Sequence, residues 1–216
     1  MKKKKTINIK YLFIGVSDYN PSNKKYTNVT LGDYPTDTVA FFPNHKDNDW
    51  LKIVSFKRIL GLLYNKKIST EDIFCNITSS KSPCELAKNL QEKGIFFCNL
   101  DRIKVTNNIQ FPIKNFEVEK NKKLKNFKKL NPKQKDNKKH VWKITKSTKI
   151  LCFGSDPINE ITEIVIDNNL PLENLSTFPH PAKNNSHIIW QHYDKNFTPT
   201  TYNLKLKNLP DLNTLK

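Results

Sequence analysis

Residues 6–21 read TINIKYLFIGVSDYNP, and the fold follows from what this stretch becomes. Ile7 and Ile9 alternate with polar neighbours. YLFIGV then runs apolar without a break, up to Ser17, Asp18, Asn20 and Pro21. A short continuous apolar run closed by turn residues is the pattern of a strand buried on both faces, as in a parallel sheet. The lysines ahead of it give the N-terminus the outline of a secretion signal. The apolar part is only six residues long, however, and no small-x-small cleavage site follows. The segment therefore reads as a strand. No apolar run approaches the roughly 18–20 residues that span a bilayer, so the reading is a cytoplasmic protein without a membrane partner.

Downstream, helical and strand patterns alternate. NDWLKIVSFKRILGLLYNKK (48–67) carries Leu51, Val54, Ile59, Leu60, Leu62 and Leu63 at helical spacing. SPCELAKNLQEK (82–93) opens with Ser82 as an N-cap and Pro83 in the first turn, and it stops before Gly94. GIFFCNL (94–100) suits a buried parallel strand. TKILCFGSDPINEITEIVIDNNLP (148–171) reads as strand, Gly turn and helix, and NLSTFPHPAKNNSHIIW (174–190) as a short strand and a Pro-rich loop. Strands alternating with helices predict an α/β domain over residues 1–216, with a mainly parallel sheet and right-handed crossovers. In such sheets the loops at the carboxyl ends of the strands meet in one crevice. Here those loops are 15–23, 98–103, 154–157 and 179–186.

The 216 residues fit one domain with a substantial core. Thirty-seven basic residues against 20 acidic give a formal charge of +17, which points to a polyanionic partner. Only two of the basic residues are Arg, the usage of an AT-rich genome, but codon bias does not explain the shortage of acids. The charge concentrates in a predicted basic helix and loop at 114–149, with fourteen Lys against three acids. Cys75, Cys84, Cys98 and Cys152 have no C-x-x-C spacing and no paired histidines. They read as reduced thiols, with no metal implied. P-loop, dinucleotide and nucleophile-elbow motifs are absent, and five glycines leave little material for phosphate cradles.

The strand-end loops carry a resemblance. LFIGVSDYNPSN (12–23) resembles the first-strand motif of the uracil-DNA glycosylase superfamily, whose forms include G-Q-D-P-Y-H and G-I-N-P-G. VAFFPNHKDNDWLKI (39–53) resembles the stretch with the base-stacking Phe. GIFFCN (94–99) is similar to G-V-L-L-L-N, and ILCFGSDPINEI (150–161) to L-L-W-G-S-x-A. HPAKNN (180–185) resembles the H-P-S-P-L-S loop. The matches run in order from about residue 11 to 186.

The resemblance implies a three-layer sandwich around a central, mainly parallel four-stranded sheet. It also implies a monomeric, metal- and cofactor-independent DNA glycosylase that acts on a flipped uracil or another altered base. By the same resemblance, Asn99 reads the base with its amide, Phe42 stacks on it (Phe41 if the register differs by one), and Tyr19 excludes 5-methyl groups. His180 donates to the departing base. Ser17, Asp18 and Asn20 compete for the role of positioning the water, and Asp18 is favoured because a carboxylate also offsets oxocarbenium charge. Ser17 also falls among the base-contacting residues. Lys183, Asn184, Asn185 and Ser155 are expected at the DNA, with phosphates on the Lys-rich face. Ala182 replaces the family's Ser, and Asn184 or its neighbour the intercalating Leu. Two variants therefore stand beside the first reading: a base-sensing module without catalysis, and a glycosylase directed at modified phage DNA. A basic RNA-associated protein with no pocket chemistry is the remaining alternative.

Overall fold

The computed structural model describes residues 5–19, 26–45, 49–106, 109–112, 140–194 and 208–212. Asn20 and residues 114–139 of the Lys-rich segment lie outside these residues; the described end of that segment, expected as helix and loop, holds a strand at His140–Lys143 instead.

The opening stretch forms two strands, β1 (Lys5–Asn8) and β2 (Tyr11–Gly15). The chain changes partners at Ile9–Lys10. Ile9 N donates to Lys143 O at 2.9 Å, whereas Lys10 N and Tyr11 N both donate to Gly94 O at 3.0 and 3.1 Å. The Thr148 hydroxyl closes the junction on Ile9 O at 2.7 Å. Every backbone group of the kink is thus engaged by a neighbouring chain, which is what a buried break in a strand requires.

β2 lies between β5 (Ile95–Asn99) and β8 (Lys149–Phe153), and β9 (Leu175–Phe178) follows on the far side. The four-stranded sheet has the order β5-β2-β8-β9 and is parallel throughout. β1 pairs in parallel with β7 (His140–Lys143), which also pairs with the short β6 (Ile109–Gln110). Residues 26–45, in which the sequence reading placed no strand, form an antiparallel pair, β3 (Tyr26–Thr30) and β4 (Thr38–His45). Its register breaks between Asn28 and Thr30, and Asn28 Nδ2 patches the break by donating to Val39 O at 2.8 Å.

Helices flank the sheet. A 3-10 turn at Asp49–Lys52 leads into α1 (Val54–Tyr64), which buries Phe56, Ile59, Leu60, Leu62 and Leu63. α2 (Glu71–Thr78) is capped by Thr70. α3 (Pro83–Glu92) has the expected Ser82 cap, accepting from Glu85 N at 3.2 Å. Short α4 (Leu100–Thr106) follows β5, α5 (Ser155–Asp167) follows β8, and α6 (Ile188–Asp194) comes after the loop beyond β9. α2, α4 and α6 span seven or eight residues each, too few turns for a clear hydrophobic period in the sequence.

An aromatic seam joins sheet and helices. Phe13 stacks on Phe97 at 4.5 Å, and Phe42 fits between Phe97 (4.8 Å) and Phe56 (5.3 Å). Each such ring contributes about 1.5–3 kcal/mol by leaving water. Among the described residues the buried apolar side chains form one continuous cluster, and all four cysteines are free thiols. No helix among the described residues is long and apolar enough to cross a membrane.

Candidate functional site

From β2 the chain crosses to β5 on one side, and later returns to β8 on the other. The carboxyl end of β2 is therefore a topological switch point, where loops on either side leave a crevice. Gly15 ends β2 directly opposite Asn99, the last residue of β5. A Cβ on Gly15 would stand 2.6 Å from Asn99 Oδ1 and 2.8 Å from Phe41 Cζ, so glycine is what lets an amide and an aromatic edge meet here.

Asn99 is 1% exposed, and its Nδ2 donates to Asp18 Oδ1 at 2.7 Å. The same oxygen accepts from Thr38 Oγ1 at 2.9 Å. Asp18 Oδ2 takes a two-pronged contact from Arg102, with Nε at 2.8 Å and Nη2 at 2.7 Å. Asp18 therefore binds β4, β5 and α4 together at the mouth of the crevice. Asp101, beside Arg102, is half-buried. Burial, together with the negative charge of Asp18, raises its carboxyl above the usual range. Ser17 is exposed and Asn20 lies outside the described residues, so Asp18 is the member of the 17–20 loop found in this network.

The two adjacent phenylalanines take different places from those first expected. Phe42 is fully buried between Phe56 and Phe97, in the core. Phe41 points its ring edge at Gly15 and meets Phe153 edge-on at 5.3 Å. Successive strand residues face opposite sides, so only one of the pair could reach the crevice. Phe41 sits at φ 65°, an uncommon conformation for a non-glycine residue. Tyr19 braces it: the phenol donates to Phe41 O at 2.6 Å and lies 3.2 Å from Ser55 Oγ. Burial pushes the ionisation of this phenol far upward, so it remains a neutral donor. The main chain of Tyr19 is itself held by Asn28 Oδ1 at 2.7 Å.

β8 is followed by Gly154, φ 98°, where a Cβ would stand 3.4 Å from both His180 Cδ2 and Val16 Cγ2. The third and fourth strand-end loops thus meet the first. His180 is half-buried, and its Nδ1 accepts the Ala182 N–H at 3.2 Å, which places the ring proton on Nε2. Burial lowers the pKa of the imidazole below its ordinary value and favours the neutral ring. Beyond it lies a shallow concavity of about 550 Å³ lined by His180, Ala182, Asn184, Asn185 and Ser186. Lys183, Asn184 and Ser155 are exposed. Asn185 is partly buried in the turn, its N–H on Ala182 O at 3.0 Å.

Sequence reasoning missed Thr38, Asp101, Arg102 and Arg58. Arg58, in α1, is 3% exposed and reaches the His180 loop, donating to Pro181 O at 3.3 Å and to Ala182 O. One signal was present: a chain that uses Lys almost everywhere keeps Arg at two positions, and both prove to make forked contacts in or beside this crevice.

No family model, no curated protein and no solved structure matches the chain.

Proposed function

We propose that the protein is a DNA glycosylase related to the uracil-DNA glycosylase superfamily, with the three-layer fold of that family, hydrolysing the N-glycosidic bond of a flipped uracil or other altered base. The supporting observation is that an amide (Asn99, ending β5) and an aromatic edge (Phe41, on the antiparallel β4) meet at Gly15, while an imidazole with its proton on Nε2 (His180) lies beside Gly154 and Val16 at the same end of the parallel sheet. A base drawn out of the stack needs an edge reader, an aromatic ring to pack against and a donor for the departing ring.

In this reading the C1′–N bond breaks and its electron pair goes onto the base. His180 Nε2–H stabilises the charge on a base carbonyl oxygen. Asp18 offsets the positive charge on the sugar. Water then adds to C1′ and its proton ends on the departed base anion, leaving an abasic site and the neutral free base. The excess of basic side chains supplies phosphate contacts without sequence preference.

One observation favours a second reading, a base-sensing module of the same fold without catalysis. The carboxylate of Asp18 already accepts hydrogen bonds from Asn99, Thr38 and Arg102 Nε and pairs with Arg102 Nη2, which leaves it poorly placed to take a proton from water.

The test is incubation with single- and double-stranded oligonucleotides carrying one uracil, followed by alkali. Strand breaks that disappear in His180→Ala and Asp18→Ala support the glycosylase. Salt-sensitive binding with no abasic product on any base tested supports the sensing module. Activity confined to bulky modified pyrimidines assigns the enzyme to modified DNA.

A further inference from the structure

His180 belongs to a turn flanked by Pro179 and Pro181, neither of which has an N–H to give. Within the loop the Asn185 N–H reaches Ala182 O, and a further donor to the Pro181 and Ala182 carbonyls comes from outside it. Arg58 supplies one from α1: Nη1 donates to Pro181 O at 3.3 Å and to Ala182 O. The rest of the guanidinium is held by Asp194 of α6, through Nε at 3.2 Å and Nη2 at 2.5 Å. It lies 5.8 Å from the Trp190 ring centre. Close packing of the two helices makes this reach achievable. Gly61, one turn beyond Arg58 on the same face, would carry a Cβ only 2.8 Å from Tyr193 Cδ1.

A guanidinium buried to this degree is costly unless all its donors are used, and a plain apolar contact between α1 and α6 would hold the helices together without it. What an apolar pair could not do is grip two consecutive carbonyls of the turn. The Ala182 carbonyl held by Arg58 and the Ala182 N–H received by His180 Nδ1 belong to the same residue. We propose that Arg58 is a positioning residue for this site: by fixing the Pro181–Ala182 turn it sets the tautomer and pose of His180, so that Nε2–H is the group presented to the ligand. The proposal rests on the glycosylase reading for its catalytic consequence, and on geometry alone for the state of His180.

The experiment compares wild type, Arg58→Lys, Asp194→Asn and His180→Ala. The first readout, independent of activity, is the ¹⁵N spectrum of the imidazole. Wild type is expected to show His180 as a single neutral tautomer with Nδ1 unprotonated, and Arg58→Lys a mixture, because an ammonium cannot reproduce the planar fork. The second readout is base excision, with kcat falling about 10²-fold in Arg58→Lys while KM changes little. Adding Arg58→Lys to His180→Ala is expected to change nothing further, as for residues that act as one unit. A folded Arg58→Lys protein that keeps the wild-type tautomer overturns the proposal. If wild type excises no base, the glycosylase reading fails while the spectrum still decides the role of Arg58. If Arg58→Lys does not fold, Asp194→Asn carries the same comparison, since it loosens the guanidinium from the other side. An unchanged His180 spectrum in that variant overturns the proposal equally.

Discussion

The amide oxygen of Asn99 occupies the space that a side chain on Gly15 would take, and the two residues end neighbouring parallel strands in register. The crevice is therefore built on a backbone contact that tolerates no methyl group. Gly15→Ala is expected to displace Asn99 and Phe41, both more than nine-tenths buried, at a cost of about 1–3 kcal/mol, the usual range for overpacking. A urea midpoint equal to wild type would show that the crevice has slack, and would remove the steric argument for glycine.

Asp18 serves three donors, so its loss should be felt more than the loss of any one of them. Asp18→Ala leaves the Asn99 amide, the Thr38 hydroxyl and the Arg102 guanidinium short of an acceptor. Because Asp18 is 17% and Arg102 33% exposed, the cost is expected at about 2 kcal/mol, below that of a fully buried pair. Arg102→Ala should cost less. Denaturant unfolding of both single variants and the double variant checks the order, and additivity of the two changes would disprove the coupling.

On the proposed function, Phe41 and Phe42 should separate function from folding. Phe42→Ala empties a fully buried site and should cost about 3–5 kcal/mol. Phe41→Leu should cost less than about 1.5 kcal/mol, yet weaken the capture of a base analogue or the excision rate. Equal stability losses for the two variants would contradict the assignment of Phe41 to the crevice.

His180 predicts a pH dependence with a definite sign. Its folded pKa lies below the ordinary value of about 6.5, so in that interval the unfolded chain binds more protons than the folded one. Stability should fall as pH drops through about 6.5 towards the folded value, while the neutral donor persists throughout the neutral range. NMR titration of the ring and thermal unfolding of His180→Ala across this range test both statements. A titration midpoint above 6.5 would refute them.

Asp101 works in the opposite sense. Its folded carboxyl titrates above its ordinary value, so its charge weakens the fold at neutral pH, and that penalty disappears as pH falls through the folded value. Asp101→Asn is expected to raise the melting temperature at pH 7, with the gain vanishing in acid. A melting temperature lowered at pH 7 would mean that the carboxylate has a partner worth more than its burial costs.

Local pattern was sufficient for much of the frame. Continuous apolar runs at 11–16, 95–98 and 150–153 announced buried parallel strands, and Ser82-Pro83 announced the start of a helix; all four are found where they were read. The four loops expected to converge do converge as far as they are described, because parallel strands in one sheet deliver their carboxyl ends to one edge. Asn99, Asp18 and His180 were legible for the same reason, each lying just beyond or at the end of a strand.

What the sequence could not settle depends on contacts between residues far apart in the chain. Which of two adjacent rings faces the crevice turned on a positive φ at Phe41 and a brace from Tyr19, 22 residues away. That Asp18 is held by Arg102 depends on β2 and β5 lying side by side, and that Arg58 reaches the His180 turn depends on α1 packing against α6 across 136 residues of chain. Strand and helix periods are properties of a few consecutive residues, whereas ion pairs and ring contacts follow from packing, which the burial of the whole core decides. By itself, then, the sequence determined an α/β chain with strand-end loops at one edge and a large excess of basic charge. Only the tertiary structure decided which side chains fill the crevice and what holds them, because their partners come from segments that meet only after the core has closed.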